Sequence, residues 1–168
     1  MSLHNPSLFP QILRNHLEEI CGSEDVKHAC SDHTTSPGSK LLDRFFKTRL
    51  SSKGYSVESD RLWVARNCKF DLDLLISGKK WLVAVLIECG QAARVDLDLM
   101  KFIAWGRTIE PPDLCYAVLI ASDKKLLRTI TGTPNEATFD YLRRLSPLFL
   151  GTGSNITDLL MIEFETSS

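Results

Sequence analysis

The segment from residue 69 to residue 103 constrains the fold most, because its hydrophobic pattern changes period within a short stretch. Residues 69–76 alternate polar and apolar side chains, and residues 81–88 form an apolar run rich in β-branched residues. The turn sequence SGKK lies between them. From Val95 onward, apolar residues recur at helical spacing. The pattern therefore predicts an antiparallel hairpin followed directly by a helix.

The acidic residues of this hairpin form the candidate site. If Gly78 and Lys79 are the two loop residues, antiparallel pairing places Asp71 diagonal to Glu88, with Asp73 further away. All three acids then share the face opposite the apolar residues. Carboxylates that converge at a strand end are ligands that Mg²⁺ prefers. The alternative is that this face is simply the solvated side of an antiparallel hairpin.

The flanking segments predict an α/β fold with a mixed central sheet flanked by helices. The apolar run at residues 114–121 is typical of an interior strand, and its connection through a helix predicts that it lies parallel to residues 81–88. A polar segment, residues 22–39, is predicted to be a loop. Further helices are predicted at residues 7–20, 40–53 and 133–145, and further strands at 56–65 and 158–165.

Length and composition limit the classes of protein to consider. A chain of 168 residues with 43% hydrophobic residues, 24% charged residues and a net charge of -1 is typical of one globular domain. No apolar run is as long as a membrane span, and the amino terminus lacks the pattern of a signal peptide. Five cysteines without regular spacing predict no structural disulfide. We therefore expect a cytoplasmic protein without a membrane partner.

The order helix, three strands, helix, strand, with acids on the second and third strands, resembles the core of the restriction-endonuclease-like superfamily, the PD-(D/E)xK nucleases. The resemblance covers residues 40–122. It leaves residues 1–39 as an amino-terminal helix and polar loop, and residues 123–168 as a carboxy-terminal helix and strand of the same domain. It implies an αβββαβ core and a DNA endonuclease that depends on Mg²⁺ or Mn²⁺.

The family's metal-binding acids correspond to Asp71 and Glu88, and its lysine position corresponds to Gly90, which cannot fill that role. Some members carry Glu or Gln at the lysine position. In that second alignment Glu88 takes the lysine position, and the first acid falls at Leu86, which cannot bind a metal. If Glu88 is instead the first acid, we expect Gln91 or Lys101 to orient the attacking water. Asp73 is then a supporting acid.

Basic residues predict where a nucleic acid would bind. Lys40, Arg44 and Lys47 fall on one face of a predicted helix, and basic clusters contact phosphates even on a chain of near-neutral net charge. Such clusters are more often a solvated helix face than a phosphate-binding surface. Further cations that could contact DNA are Lys124, Lys125, Arg128, Arg143 and Arg144.

Alternatives to an active nuclease remain open from the sequence. One is a catalytically degenerate member that acts as a nucleic-acid or protein interaction module, and another is an unrelated α/β protein with an acidic hairpin. A zinc site at Cys21, His28, Cys30 and His33 is a further hypothesis, although their spacing differs from that of zinc knuckles. The oligomeric state does not follow from the sequence.

Overall fold

The computed structural model describes residues 9–35, 41–65, 68–88, 95–108, 114–122 and 155–164. Four α-helices and five β-strands lie within these ranges. In chain order they are α1 (Gln11–Cys21), α2 (Glu24–Thr35), α3 (Leu41–Ser52), β1 (Ser56–Ala65), β2 (Cys68–Ser77), β3 (Trp81–Glu88), α4 (Val95–Thr108), β4 (Leu114–Ser122) and β5 (Ile156–Phe164).

The strands form one mixed sheet in the order β1-β2-β3-β4-β5. The first three strands pair antiparallel as a meander, whereas β4 pairs parallel with β3 and β5 pairs parallel with β4. The predicted α/β class and the mixed sheet are confirmed. So is the parallel placement of β4, whose residues from Cys115 to Ala121 are all buried. A strand covered on both faces is expected to be apolar throughout.

Helices cover both faces of this sheet. On one face, the buried residues of α1, α2 and α3 pack with Leu74, Ile76, Val83 and Val85 of the hairpin. On the other, Leu99, Phe102 and Trp105 of α4 pack with Leu75, Ala84 and Leu86. Around Leu75, Ala84 and Leu86 this face is not solvated, because α4 covers it. Asp71, further along β2, is exposed, as the alternative of a solvated face implies.

The turn of the β2–β3 hairpin lies one residue later than the sequence predicts. Ser77 pairs with Leu82 instead of Lys80, and Leu74 pairs with Val85. The backbone N–H of Gly78 donates to the carbonyl oxygen of Trp81 at 2.9 Å, so that Lys79 and Lys80 are the loop residues. Glycine is required before the loop, because a Cβ at Gly78 would lie 2.1 Å from Cε2 of the Trp81 ring.

The predicted loop at residues 22–39 is wrong, because residues 24–35 form helix α2. Its composition is polar. Among its described side chains, Val26 is the hydrophobic one that is fully buried. The helix is fixed to its neighbour by an ion pair between Asp25 and Arg49 of α3. The acids Glu24 and Asp25 also lie in its first turn, where their negative charges interact favourably with the positive end of the helix dipole.

The two predicted helices on either side of α2 are present with small differences. Helix α1 begins at Gln11 after Pro10, four residues later than predicted. In α3 the buried residues are Leu42, Phe46 and Leu50, while Leu41 is 39% exposed. The predicted helix at residues 133–145 lies outside the described residues. None of the helices that the structure describes is long and apolar enough to cross a membrane.

Candidate functional site

The carboxyl group of Asp73 replaces a backbone acceptor between β2 and β3. The paired residues of the two strands run from Leu74 and Val85 toward the turn. On the other side of this pair, the backbone N–H of Ile87 donates to Oδ2 of Asp73 at 2.6 Å. A backbone N–H in a sheet interior needs an acceptor, and here a side chain supplies it. The bond also fixes the orientation of the Asp73 carboxyl group.

The surroundings of Asp73 make its carboxyl group an unusual acid. Burial, with smaller contributions from the carboxylates of Asp43 and Asp98, raises the pKa of Asp73 to about 7. The hydrogen bond from Ile87 and the ammonium group of Lys101 lower the same pKa, but they do not offset burial. Asp73 therefore binds and releases a proton near neutral pH. A carboxyl group with such a pKa is typical of functional sites.

Helix α4 brings an acid and a base to this position. The ammonium Nζ of Lys101 lies 2.6 Å from Oδ1 of Asp98, one helical turn away. Asp98 is 2% exposed, and its Oδ2 has no hydrogen-bond partner among the residues that the structure describes. A buried carboxylate with one unsatisfied oxygen is costly. Such an oxygen is a candidate ligand for a cation.

Helix α3 contributes a further acid, Asp43, from the opposite layer. Its first turn carries Asp43, whose charge raises the pKa of Asp73. Charged groups of α3 and of α4, which lie on opposite faces of the sheet, therefore act through space on Asp73. We refer to Asp43, Asp73, Asp98 and Lys101 as the acidic cluster.

The structure brings together only part of the predicted site. Asp73 and Lys101 belong to the acidic cluster, whereas Asp71 is exposed on β2. Glu88 ends β3, and its side chain lies outside the described part of the structure, as does all of Gln91. Continued along both strands, the observed register would place Asp71 level with Glu88. The two therefore remain candidates for the outer part of the site.

Sequence reasoning missed Asp43 and Asp98, although Asp98 left a visible signal. In α4, Asp98 precedes Phe102 and Trp105 by four and seven residues, a spacing that places it on the buried apolar face. Charged residues are rarely fully buried unless they are paired. An acid at a core position of an amphipathic helix therefore marks a partner or a ligand. Asp43 carries no comparable signal, because its helix has acidic and basic residues on several sides.

A metal ion fits the acidic cluster only with water among its ligands. Among the described residues, no three His, Cys, Asp or Glu side chains lie close enough to hold one metal ion together. Mg²⁺ is commonly bound by one or two carboxylates and several waters. Asp73 and the unsatisfied oxygen of Asp98 match that smaller requirement. The chemistry of the donors therefore fits a hard cation and not zinc.

The hypothetical zinc ligands do not form such a group where they are described. Cys21 is buried, and burial raises the pKa of its thiol to about 12, which opposes the thiolate form that zinc binds. The side chains of Cys30 and His33 lie outside the described residues. Cys21 and Cys115 are free cysteines, as the sequence predicts.

Predicted DNA-binding residues are described only on α3. Arg44 and Lys47 lie in the turn after Asp43, and Nζ of Lys47 donates to Oγ of Ser59 on β1 at 3.2 Å. The bond holds this ammonium group beside the sheet. The other predicted cations, Lys40, Lys124, Lys125, Arg128, Arg143 and Arg144, lie outside the described residues.

A second polar region lies where α1, α2 and α3 meet, around a cavity of about 250 Å³. Lys53 forms an ion pair with Glu19 at 2.7 Å, and Arg49 pairs with Asp25. Both cations of this cavity are thus already paired with acids of the neighbouring helices. Their contacts explain how α1 and α2 attach to α3, and they leave little attraction for an added anion.

Comparisons with known proteins do not add to this picture. No protein-family model, curated protein or solved structure matches the chain. The acidic cluster is therefore the feature of the molecule from which a function can be inferred.

Proposed function

We propose that this protein is a metal-dependent nuclease of the DNA endonuclease type, which hydrolyses phosphodiester bonds at the acidic cluster. The observation that carries the proposal is the carboxyl group of Asp73, which is held by the Ile87 N–H and surrounded by charged groups of α3 and α4. Acids at the ends of paired strands, between two helical layers, are also what the resemblance to the PD-(D/E)xK nucleases implies.

Asp73 and Asp98 are the proposed inner ligands of Mg²⁺ or Mn²⁺. The charge of Asp98 acts on Asp73, and the buried Oδ2 of Asp98 has no hydrogen-bond partner among the described residues. Asp71 and Glu88, the acids that the resemblance indicates, would bind through water at the outer edge. A bound divalent cation would polarise a phosphoryl oxygen and make its bound water more acidic.

Two side chains are suited to handle the attacking water. A bound cation would favour the ionised form of Asp73, whose carboxylate would then accept a hydrogen bond from the attacking water. Lys101 supplies the ammonium group that the family has at the position of Gly90, and its bond to Asp98 keeps that group beside the acids. An ammonium group in this place would orient the water and stabilise the charge that develops on the phosphate.

DNA would approach along α3, because the same helix carries an acid of the cluster and two cations. Asp43 is followed by Arg44 and Lys47, and Lys47 is held beside β1 by Ser59. Phosphate contacts of this kind position a nucleic acid without reading its sequence. The proposed substrate is therefore DNA, whose phosphates would contact Arg44 and Lys47, one helical turn apart on α3.

A catalytically degenerate interaction module is the second candidate function. One observation favours it: the described residues lack a group of three metal ligands, and Lys101 already neutralises part of the charge of Asp98. In that case the chain would bind nucleic acid or protein through the same surface and would not cleave it.

A plasmid-nicking assay with Mg²⁺ or Mn²⁺, combined with DNA-binding measurements, separates the two candidates. Under the nuclease proposal, Asp73→Asn should lose about a hundredfold or more in cleavage rate, as expected for loss of a general base or ligand. Glu18→Gln on α1, an exposed acid that pairs within its own helix, makes the equivalent change away from the cluster and should leave the rate unchanged. DNA binding without metal-dependent nicking would instead favour the interaction module. Neither binding nor nicking would contradict both.

A further inference from the structure

Lys101 acts on two acids of the acidic cluster. Asp98 is 2% exposed, and the Lys101 side chain is 17% exposed, so their ion pair is largely removed from water. Lys101 is also the cation among the groups that shift the pKa of Asp73, which it lowers. One ammonium group therefore contacts Asp98 and acts through space on Asp73.

The two oxygens of Asp98 differ in their contacts. Oδ1 accepts from Nζ of Lys101 at 2.6 Å, while the buried Oδ2 has no hydrogen-bond partner within the described ranges. A buried acceptor left without a partner indicates a missing ligand, water or ion. A lysine ammonium is a single point charge on a flexible stem. It satisfies one oxygen of Asp98, whereas a divalent ion supplies twice the charge and binds several oxygens at once.

We propose that Lys101 is a built-in substitute for the metal ion, which holds the cation position beside Asp98 until a divalent cation displaces it. The inference rests on the proposed function for the position of the metal site. It adds that the Lys101 ammonium group balances the charge of Asp98 when no metal is bound. Lys101 is suited to leave, because its long stem still reaches the surface at 17% exposure, whereas Asp98 is 2% exposed. A displaced ammonium would still lie close enough to contact a phosphate or the attacking water.

The consequence is that Lys101 and a metal ion compete. Removal of the ammonium group should therefore strengthen metal binding, which is the opposite of what loss of a structural residue or of a supporting ligand would do. We expect Lys101→Met to bind Mn²⁺ about tenfold more tightly than the wild type or better, a change that corresponds to about 1.4 kcal/mol.

Calorimetric titration of the full chain with Mn²⁺ tests the proposal. Lys101→Gln should also bind more tightly, since its amide can still donate to Asp98 but carries no charge. Lys79→Met, in the hairpin loop, is the matched control and should bind as the wild type does. The double variant Asp98→Asn, Lys101→Met should show no gain, because the carboxylate that attracts the ion has been removed.

Two outcomes separate this inference from the proposed function. A wild type that binds Mn²⁺ and nicks DNA, with Lys101 variants that bind equally or more weakly, would overturn the substitute role and leave the nuclease proposal intact. Tighter binding by the Lys101 variants without any nicking by the wild type would support the substitute role and contradict the nuclease proposal. If Lys101→Met unfolds without metal, Mn²⁺ should restore its folded state. Failure of Mn²⁺ to stabilise both Lys101 variants would overturn the inference.

Discussion

The two ends of the β2–β3 hairpin use the same strands and differ in what satisfies the backbone. Near the turn, Leu74 pairs with Val85 and Ile76 pairs with Val83, and all four side chains are buried in an apolar layer. Beyond Leu74, the N–H of Ile87 is bound by the carboxyl group of Asp73 instead. The end nearest the turn is built for stability, and the other end gives up a fully apolar interior to hold a charge between two helical layers.

The difference shows how a sheet can carry a reactive acid without losing its hydrogen bonds. Because the Asp73 carboxyl group accepts from a backbone N–H, no donor is left unsatisfied at that position. The cost appears as the raised pKa of Asp73, since burial opposes its ionised form. Stability and function therefore compete within a few residues of one strand.

The largest effect is expected at the turn end. Ile76→Ala removes a fully buried side chain and should lower the free energy of unfolding by about 2 to 5 kcal/mol. Denaturant unfolding followed by circular dichroism measures the change, and Lys79→Ala in the exposed loop is the control. The loss should be the same at pH 5 and at pH 8. Equal midpoints for the two variants would mean that this end of the hairpin is not the packed one.

A smaller and pH-dependent effect is expected at the acidic end. Between about pH 4, the ordinary range for an unfolded Asp, and about pH 7, the native state keeps a proton on Asp73 that the unfolded chain has released. Stability due to this group is therefore full below pH 4 and falls as the pH rises through 7. Asp73→Asn should remove the loss and be more stable than the wild type by roughly 2 to 4 kcal/mol at pH 8.

Unfolding curves from pH 4 to pH 8 measure this prediction. Asp71→Asn is the matched control, because it makes the same change two positions away on an exposed side chain. The Asp73→Asn and wild-type curves should meet near pH 4 and separate above it. A constant offset across this range would show that folding does not raise the pKa of Asp73.

The strands were predictable because their patterns are strong, and the register was not. The sequence predicts β1 and β3 to the residue, and the apolar run of β4 indicates a central strand. The turn prediction failed because glycine was assigned to the loop itself. The contact that accompanies the observed register, the Trp81 ring over Gly78, lies across the turn, and the hydrophobic pattern does not indicate it. Helix α2 was not predicted because its sequence has no periodic apolar pattern. Among its described side chains, Val26 is fully buried, and Asp25 forms an ion pair with α3.

The candidate site was likewise predictable only in part. Asp73 and Lys101 lie in segments that the sequence marks as unusual, but their relative importance depends on which face α4 covers. The prediction placed Asp71 first because it lies nearer to Glu88 along the strands, and the observed register keeps that order. Burial is what distinguishes Asp73 from the exposed Asp71, and the alternating pattern does not indicate it. Asp43 comes from a helix on the opposite face of the sheet, and no local pattern connects it with β2. Such a convergence of layers becomes visible only in three dimensions.

The corrected register makes its own prediction, with a smaller effect. Gly78→Ala places a methyl group in the space of the Trp81 ring and should cost roughly 1 to 3 kcal/mol as the ring shifts. Trp81 fluorescence should change with it, which provides a second readout. The same change with Trp81→Leu in the background should cost less, because the ring is gone. Tolerance of Gly78→Ala without a fluorescence change would favour the register with Gly78 in the loop.

Paramagnetic broadening by Mn²⁺ in an amide NMR spectrum tests the comparison of the two ends most directly. If the acidic cluster binds a divalent cation, signals of Asp73, Ile87, Asp98 and Lys101 should broaden first, and those of Lys79 and Lys80 at the turn should stay sharp. Asp73→Asn should abolish the selective broadening. Broadening that begins elsewhere, for example around Glu19 and Asp25, or that is equal at both ends of the hairpin, would contradict the account.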